Sequence, residues 1–542
     1  MSEPSFSNFK VDPSASAEDR KPETGGPSPN LLPSKKPCGA DLVSLVLLAL
    51  AGGVLLASID REIDYDEANY LYIAKSIART GLPYLRGLDH LEREEVFITS
   101  PPLVMAVAAV SQAHWPGQLW PSRLVHVLVF SWPLYVLVWW IARRLYGPWP
   151  ACFALAVLLS HTQFLGHASV VRLDVPLGLG CLVSLWCFYR ALEPTRTVWL
   201  WAAGAALSLA AAVATKFQAI CIPLALGLFL VAQGVKKGWE PIRPAWRPLI
   251  LQGCAGVLVL AGLYWYLMVL PGPDAPQYGG GLLHTTQQMD TTGLTPRQIA
   301  EYYLALPIKA VIYLGWPLWL GLLGLLPARA EGRFAGLLAA FCAAVGLFNV
   351  AVAKLCGAGT YYLISMVPAL AILAGRAAAI ALQKPPTRKN FLLGGVLLGL
   401  LAWQYVADRP WHAPFGIPAG SRTAQVARFL DQIDPAQDGV LAEDTGIQFF
   451  SDRPTTVLQF APYPAVQMYL EGRGLYPVSF VVLRAGSLAR PDPFLAKHWL
   501  TTQTLLQTHF DRLRCPVPGM VVFVRKGKAL RSTADSPLPP GR

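Results

Sequence analysis

The chain has 542 residues, of which 54% are hydrophobic and 14% charged, with a formal net charge of +12. An average soluble protein carries ~25% charged residues, and this chain as a soluble protein would leave much of its apolar surface facing water, so soluble enzyme, secreted disulfide scaffold and disordered hub do not fit. The basic residues lie in short islands between apolar runs, the pattern of a membrane protein with positive cytoplasmic loops rather than of a nucleic-acid binder.

Residues 1–38, rich in Pro, Ser and Lys, read as a disordered cytoplasmic tail. Apolar runs at about 42–59, 121–142, 149–166, 175–192, 198–214, 217–234, 249–270, 308–326, 334–352, 360–378 and 391–407 then predict about eleven spans. The first lacks a small-residue cleavage signal and reads as an uncleaved span. The run from Pro101 to Trp115 covers only about 22 Å as a helix, and it is read as interfacial. With that choice the short loops on the tail side collect the basic clusters, among them Arg143 and Arg144, Lys236 and Lys237, and Arg388 and Lys389. Short loops on the other side hold only isolated cations: Arg172, Lys216, Arg297, Lys309 and Lys354. This bias predicts a multi-pass membrane protein with its N-terminus cytoplasmic and C-terminus extracytoplasmic, and the composition of the tail points to a plasma (bacterial inner) membrane.

Residues 39–407 thus form a transmembrane domain whose first outer loop, 60–120, is long and acidic. From about Asp408 the membrane composition ends, and residues 408–531 alternate a helix (Ser421–Ile433) with extended runs near Gly439–Glu443, Thr455–Gln459, Val478–Leu483 and Met520–Val524. That alternation predicts a small extracytoplasmic α/β domain, followed by a disordered tail at 532–542.

The first outer loop carries Asp64-Tyr65-Asp66-Glu67-Ala68-Asn69-Tyr70 at the head of LYIAKSIARTG. Leu71, Ala74, Ile77 and Ala78 share one face at 3/4 spacing, as in an amphipathic helix lying in the interface. Asp64 or Asp66 can cap that helix while Glu67 complements its dipole. Alternatively Asp66 is a general base, or with Glu67 a divalent-metal ligand, fixed by the helix start; no complete ligand set is visible. Arg123, His167, Arg172, Asp174, Lys216, Lys354, Tyr361 and Tyr362 all fall at the same outer ends of the spans. Each alone reads as an interfacial anchor. Together with the acidic loop they would suit a lipid phosphate displaced by a nucleophile.

At these residues the sequence resembles the GT-C-fold membrane glycosyltransferases, in particular the group related to protein O-mannosyltransferases and lipid A aminoarabinose transferase. DYDEANYLYIAKSIARTG carries the resemblance, and SPPL, RLDVPLGL, LSLAAAVATKFQ and YYLISMVPALAILAGR extend it, in order, over most of residues 60–380. The resemblance implies a GT-C-like helical membrane domain with two interfacial helices in the first outer loop. It implies transfer of a sugar from a polyprenyl-phosphate donor to an envelope lipid, glycan or protein. Asp66 then matches the residue that activates the acceptor, with Glu67 shaping the site. Arg172, Asp174, Lys216 and Lys354 fall where such enzymes bind donor phosphate, Arg123 and Arg297 are further sources of charge, and Tyr70, Tyr361 and Tyr362 are additional candidates. Relatives often carry Lys before the Pro-Pro pair; here Ser100 stands there, so phosphate neutralisation rests on other cations.

No nucleotide-binding glycine loop is present, and none is needed when the lipid phosphate is the leaving group. A transporter or flippase of lipid-linked sugars is the competing reading, but transporters place ionisable residues near the midplane, whereas these cluster at one face. A non-catalytic envelope protein is a third, disfavoured by the acidic pair.

Overall fold

The computed structural model describes residues 39–59, 61–86, 94–98, 100–193, 196–237, 245–272, 275, 277–278, 304, 307–308, 310–327, 332–356, 360–382, 388–408, 421–436, 438–443, 446–451, 453–458, 463–474, 477–489 and 498–531. The tails predicted at 1–38 and 532–542 lie outside them.

The first helix, α1 (Gly39–Ala57), leads into α2 (Tyr65–Thr80), the strands β1 (Tyr84–Arg86) and β2 (Glu94–Phe97), and α3 (Leu103–His114). At 12 residues α3 spans about 18 Å, too short to cross a bilayer. Next come α4 (Leu119–His126) and α5 (Trp132–Tyr146), joined through a π-helical turn at Val127–Ser131, then α6 (Pro148–Ser160) and α7 (Thr162–Ala168). The last two meet at 81°. His161 makes the corner: it is the N-cap of α7, and its Nδ1 accepts the Phe164 amide at 3.0 Å. The predicted span 149–166 therefore turns aside before its end, which carries residues 167–173 toward α2.

The bundle continues with α8 (Asp174–Ala191), α9 (Val198–Val213), α10 (Cys221–Lys237) and α11 (Trp246–Tyr264), and a short strand β3 (Gln277–Tyr278). It is completed by α12 (Trp316–Leu323), α13 (Arg333–Cys356), α14 (Val367–Ala381) and α15 (Arg388–Asp408). Among the described residues six helices are long and apolar enough to cross a membrane, seven if the bent α6–α7 pair is one span. Apolar side chains such as Leu200, Leu207, Val257 and Leu258 face outward, as expected where lipid is the solvent. Arg143, Arg144, Arg190 and Arg247 each lie over a Trp ring, as interfacial anchors do.

Helix α14 is the hub, packed on α5, α6, α12 and α15. Its small residues let backbones meet, because without a hydrophobic drive between helices close packing must hold them together. A Cβ on Gly375 of α14 would sit 2.9 Å from the Pro150 carbonyl; likewise, one on Gly180 of α8 would sit 3.0 Å from Ala212 of α9. Arg376, near the end of the predicted span 360–378, is 4% exposed and donates to the Gly324 and Leu326 carbonyls at the end of α12. It caps that helix and satisfies its orphan acceptors.

Residues 421–531 build a five-stranded sheet of β4 (Gly439–Ala442), β5 (Thr455–Val457), β6 (Val478–Arg484), β7 (Phe510–Leu513) and β8 (Met520–Arg525), in the order β5-β4-β6-β8-β7. β4 runs parallel to β5 and β6; β8 is antiparallel to β6 and β7. Helices α16 (Arg422–Ile433), α17 (Gly446–Ser451), α18 (Tyr463–Leu470), α19 (Ala485–Ala489) and α20 (Trp499–His509) flank it. One face packs on Val426, Leu430 and Ile447, the other on Tyr469, Leu470 and Trp499.

Candidate active site

The site grows from the start of α2. Asp64 is the N-cap: its backbone is extended and its Oδ1 accepts the Glu67 amide at 2.8 Å, which satisfies one of the orphan donors of a helix start. Capping thus falls to Asp64 and leaves Asp66 free for other work. Asp66 and Glu67 are adjacent in sequence but point about 100° apart around the helix. Asp66 stays partly open to solvent, while Glu67 is buried in the bundle.

Glu67 turns inward and meets Arg123 of α4, both side chains fully buried. The Arg123 Nε and Nη2 donate to Glu67 at 2.8 and 2.5 Å, and the Val171 amide donates to Glu67 Oε1 at 2.9 Å. Arg123 Nη1 donates to the carbonyls of Ile59 and Arg61, both at 2.7 Å, and Nη2 to that of Glu62 at 3.2 Å. Every guanidinium nitrogen is therefore engaged. This corrects two expectations. Arg123 is a clamp on the loop before α2, with no donor left for a phosphate, and Glu67 is its counter-charge rather than a group facing substrate. The Asp66–Glu67 metal pair does not fit, since both Glu67 oxygens are taken. Among the described residues no three His, Cys, Asp or Glu gather as a metal site.

Asp66 faces Arg172, on the turn between α7 and α8. Arg172 Nε donates to Asp64 Oδ2 at 3.1 Å, and its Nη2 lies 3.2 Å from Asp66 Oδ2. The guanidinium bridges the two carboxylates, and its Nη1 has no partner among the described residues. Asp66 lies in a recess: protein surrounds it, yet 39% of its side-chain surface is open. The surrounding protein raises its pKa, the pull of Arg172 offsets only part of this, and the charges of Asp64 and Asp174 raise it further. For Asp64 burial acts in the same upward direction but loses to Arg172, whose charge and hydrogen bond hold the carboxyl below its ordinary value. Two neighbouring carboxylates are thus driven apart: Asp64 is a fixed anion, Asp66 the more basic one. Burial, then the charges of Asp66 and Asp174, push the Tyr70 phenol well above its usual range.

A second cluster adjoins the first. Asp174, at the positive end of α8, receives Lys216 Nζ at 2.7 Å and faces His167 Nδ1 at 3.2 Å. Burial opposes its charge, but Lys216 and His167 outweigh burial and keep its pKa well below the carboxylate norm. The Lys216 ammonium also sits 4.5 Å above the Tyr362 ring. Of the residues predicted from sequence, the structure gathers Asp66, Tyr70, Arg172, Asp174, Lys216 and Tyr362 into one neighbourhood. The side chains of Lys354 and Tyr361, and all of Arg297 and Lys309, lie outside the described residues. Sequence reasoning missed Arg61, which donates to the Gly166 carbonyl, and Glu62, which reaches the C-terminal segment. Nothing local in the sequence marks either.

A carboxylate of raised basicity, open to solvent and within reach of a partly engaged arginine, can take a proton from a hydroxyl while the cation holds an oxyanion.

The family model of dolichyl-phosphate-mannose-protein mannosyltransferases matches residues 99–269. No curated protein matches the sequence. Among solved structures, ArnT from Cupriavidus metallidurans in the apo state superposes with a TM-score of 0.52 at 15% identity, covering 90% of this chain and 98% of that one. The same protein bound to undecaprenyl phosphate gives 0.51, again at 15% identity, with 90% and 98% covered. The oligosaccharyltransferase AglB from Archaeoglobus fulgidus, in complex with an inhibitory peptide and a dolichol-phosphate, gives 0.53 at 11% identity, covering 91% of this chain and 75% of that one. The resemblance carried by the DYDE loop and its companions is thus matched in three dimensions, and the chain has the fold of the GT-C glycosyltransferases.

Proposed function

We propose that the protein is a membrane glycosyltransferase that moves a sugar, a hexose or a pentose, from a polyprenyl-phosphate donor to an envelope lipid, glycan or protein. The observation that carries this reading is the pairing of an open, basic Asp66 with a bridging Arg172 at the head of α2. The polyprenyl phosphates bound in the similar ArnT and AglB structures support the choice of donor class.

In this reading Asp66 accepts the proton of the acceptor hydroxyl as its oxygen attacks the anomeric carbon. The bond from that carbon to the phosphate oxygen breaks, and the lipid phosphate leaves with the electron pair. Arg172 Nη1 donates to the departing oxygen, and the Lys216 ammonium adds positive charge nearby; charge-assisted contacts of this kind are the strong ones. The charge that develops on the phosphate is met by groups already in place, so little reorganisation is needed. Asp64 and Asp174 hold the two cations where they are used. No step runs through a metal.

The topology belongs to the same proposal: about eleven spans, a cytoplasmic N-terminus, and the 421–531 sheet as an extracytoplasmic α/β domain over the site in a bacterial inner membrane. The test is to incubate the purified full chain with a panel of polyprenyl-phosphate sugars and acceptors. Acceptor-dependent release of lipid phosphate from one donor is expected. In liposomes, movement of the intact donor between leaflets without phosphate release would replace this reading with that of a flippase.

A further inference from the structure

The C-terminal sheet is joined to the candidate site by one acidic side chain that the transfer chemistry does not use. Glu62 extends to the start of α16, where its Oε1 accepts from Ser421 Oγ at 2.6 Å and the Thr423 amide at 3.3 Å, and its Oε2 accepts from the Arg422 amide at 2.6 Å. The first amides of a helix have no partner within it, and the helix dipole favours an anion there. Here that anion comes from 359 residues away.

The backbone of Glu62 is held from the opposite side. Arg123 grips the carbonyls of Ile59, Arg61 and Glu62 itself. A second contact fastens α2 further along: Lys75 Nζ donates to the Phe449 carbonyl at 3.2 Å, while the Phe449 ring is buried among Ile63, Ala68 and Leu71. The turn Asp64–Glu67 therefore hangs between two fixed points, one set by the bundle and one by the C-terminal sheet.

We propose that Glu62 is a positioning residue. By seating its carboxylate on α16 it couples the C-terminal domain to the Asp64–Asp66 turn and fixes Asp66 against Arg172. This rests on the reading of Asp66 as the base in sugar transfer. Misplacing a reacting group by a fraction of an ångström lowers turnover while leaving donor binding intact, and that separates positioning from mere tethering.

The experiment uses the full chain in detergent and the variants Glu62→Ala and Glu62→Asp, read by amide hydrogen exchange, turnover and donor affinity. In Glu62→Ala, exchange should quicken about tenfold or more in the first turn of α16 and also at the Glu67 and Ala68 amides, with α14 unchanged. Turnover should fall about tenfold or more, donor affinity should stay within about twofold, and Glu62→Asp should recover part of the loss. Faster exchange in α16 alone, with the Glu67 amide still protected and turnover normal, would overturn the proposal. If wild-type protein turns over no donor in the panel, the transfer reading fails, and exchange at Glu67 and Ala68 still decides whether the coupling exists. If Glu62→Ala does not accumulate, Glu62→Gln, which keeps an acceptor for Ser421 and loses the charge, is read the same way.

Discussion

Removing the Arg123 guanidinium should cost more than any other single change near the site. In Arg123→Gln the Glu67 carboxylate stays in a fully buried position with the Val171 amide as its remaining donor, and three loop carbonyls lose their partners. Breaking a buried pair from one side costs about 3–5 kcal/mol, because the surviving charge has neither water nor its counter-charge. That is a large share of a typical stability of about 5–15 kcal/mol. Arg123→Met with Glu67→Met removes both charges and should destabilise less than Arg123→Gln alone. The assay is the apparent melting temperature and the detergent-soluble yield of the single and double variants. An Arg123→Gln protein that melts with the wild type, or a double variant no better than the single, would refute the clamp. A donor lipid that protects wild type but not a stable Arg123→Gln protein would return Arg123 to the phosphate site.

Three further outcomes follow from the same geometry. Lys216→Gln and Arg172→Lys should each weaken binding of the phosphorylated donor roughly ten- to a hundredfold, since each removes a charge-assisted contact or the guanidinium fork; an uncharged analogue of equal chain length should lose far less, and equal losses for the two ligands would contradict the phosphate role. The acid limb of kcat/KM should lie above the ordinary aspartate value, because burial raises the Asp66 pKa and the base works only once deprotonated: activity falls as pH drops through that limb. Arg172→Gln should shift this limb further up, since the charge that lowers the Asp66 pKa is gone, and an unmoved limb would reassign it. A reporter active only in the cytoplasm, fused after Asp408, should be silent; a strong signal would mean that the span parity is wrong by one.

Hydropathy made the six long apolar helices among the described residues legible, since each apolar run is a local property of the chain. The DYDE loop was legible too, because a helix start needs a cap and a dipole partner and the sequence offers both there. What could not be read was the division of labour. Asp64, Asp66 and Glu67 are chemically alike, and only their neighbours make one a cap, one a partly open carboxylate and one a buried counter-charge. Those neighbours are far off in sequence: Arg123 lies 56 residues from Glu67, and Arg172 lies 108 from Asp64. Arg123 and Arg376 show why a cation at a span end misleads. The pattern for a snorkelling or ligand-binding arginine is the same as for one that closes a helix end or pins a loop, and only the carbonyls around it separate the cases. In the C-terminal segment β4, β5, β6 and β8 were visible as extended runs. β7 was not, because Phe510–Leu513 sets two adjacent charged residues between two apolar ones and so lacks a period-2 alternation over its four positions.

Asp66→Asn separates a proton-accepting Asp66 from a purely structural one. Asparagine keeps the size and hydrogen-bonding shape of the side chain and cannot act as the base. Because the raised pKa means that ionised Asp66 disfavours the folded state, that cost is full above the folded pKa and absent below the unfolded one. The variant should therefore melt no lower than wild type at neutral pH. Measured as lipid phosphate released from a polyprenyl-phosphate sugar in the presence of acceptor, turnover should be lost while donor binding persists. Near-normal release by a well-folded Asp66→Asn protein would contradict the account.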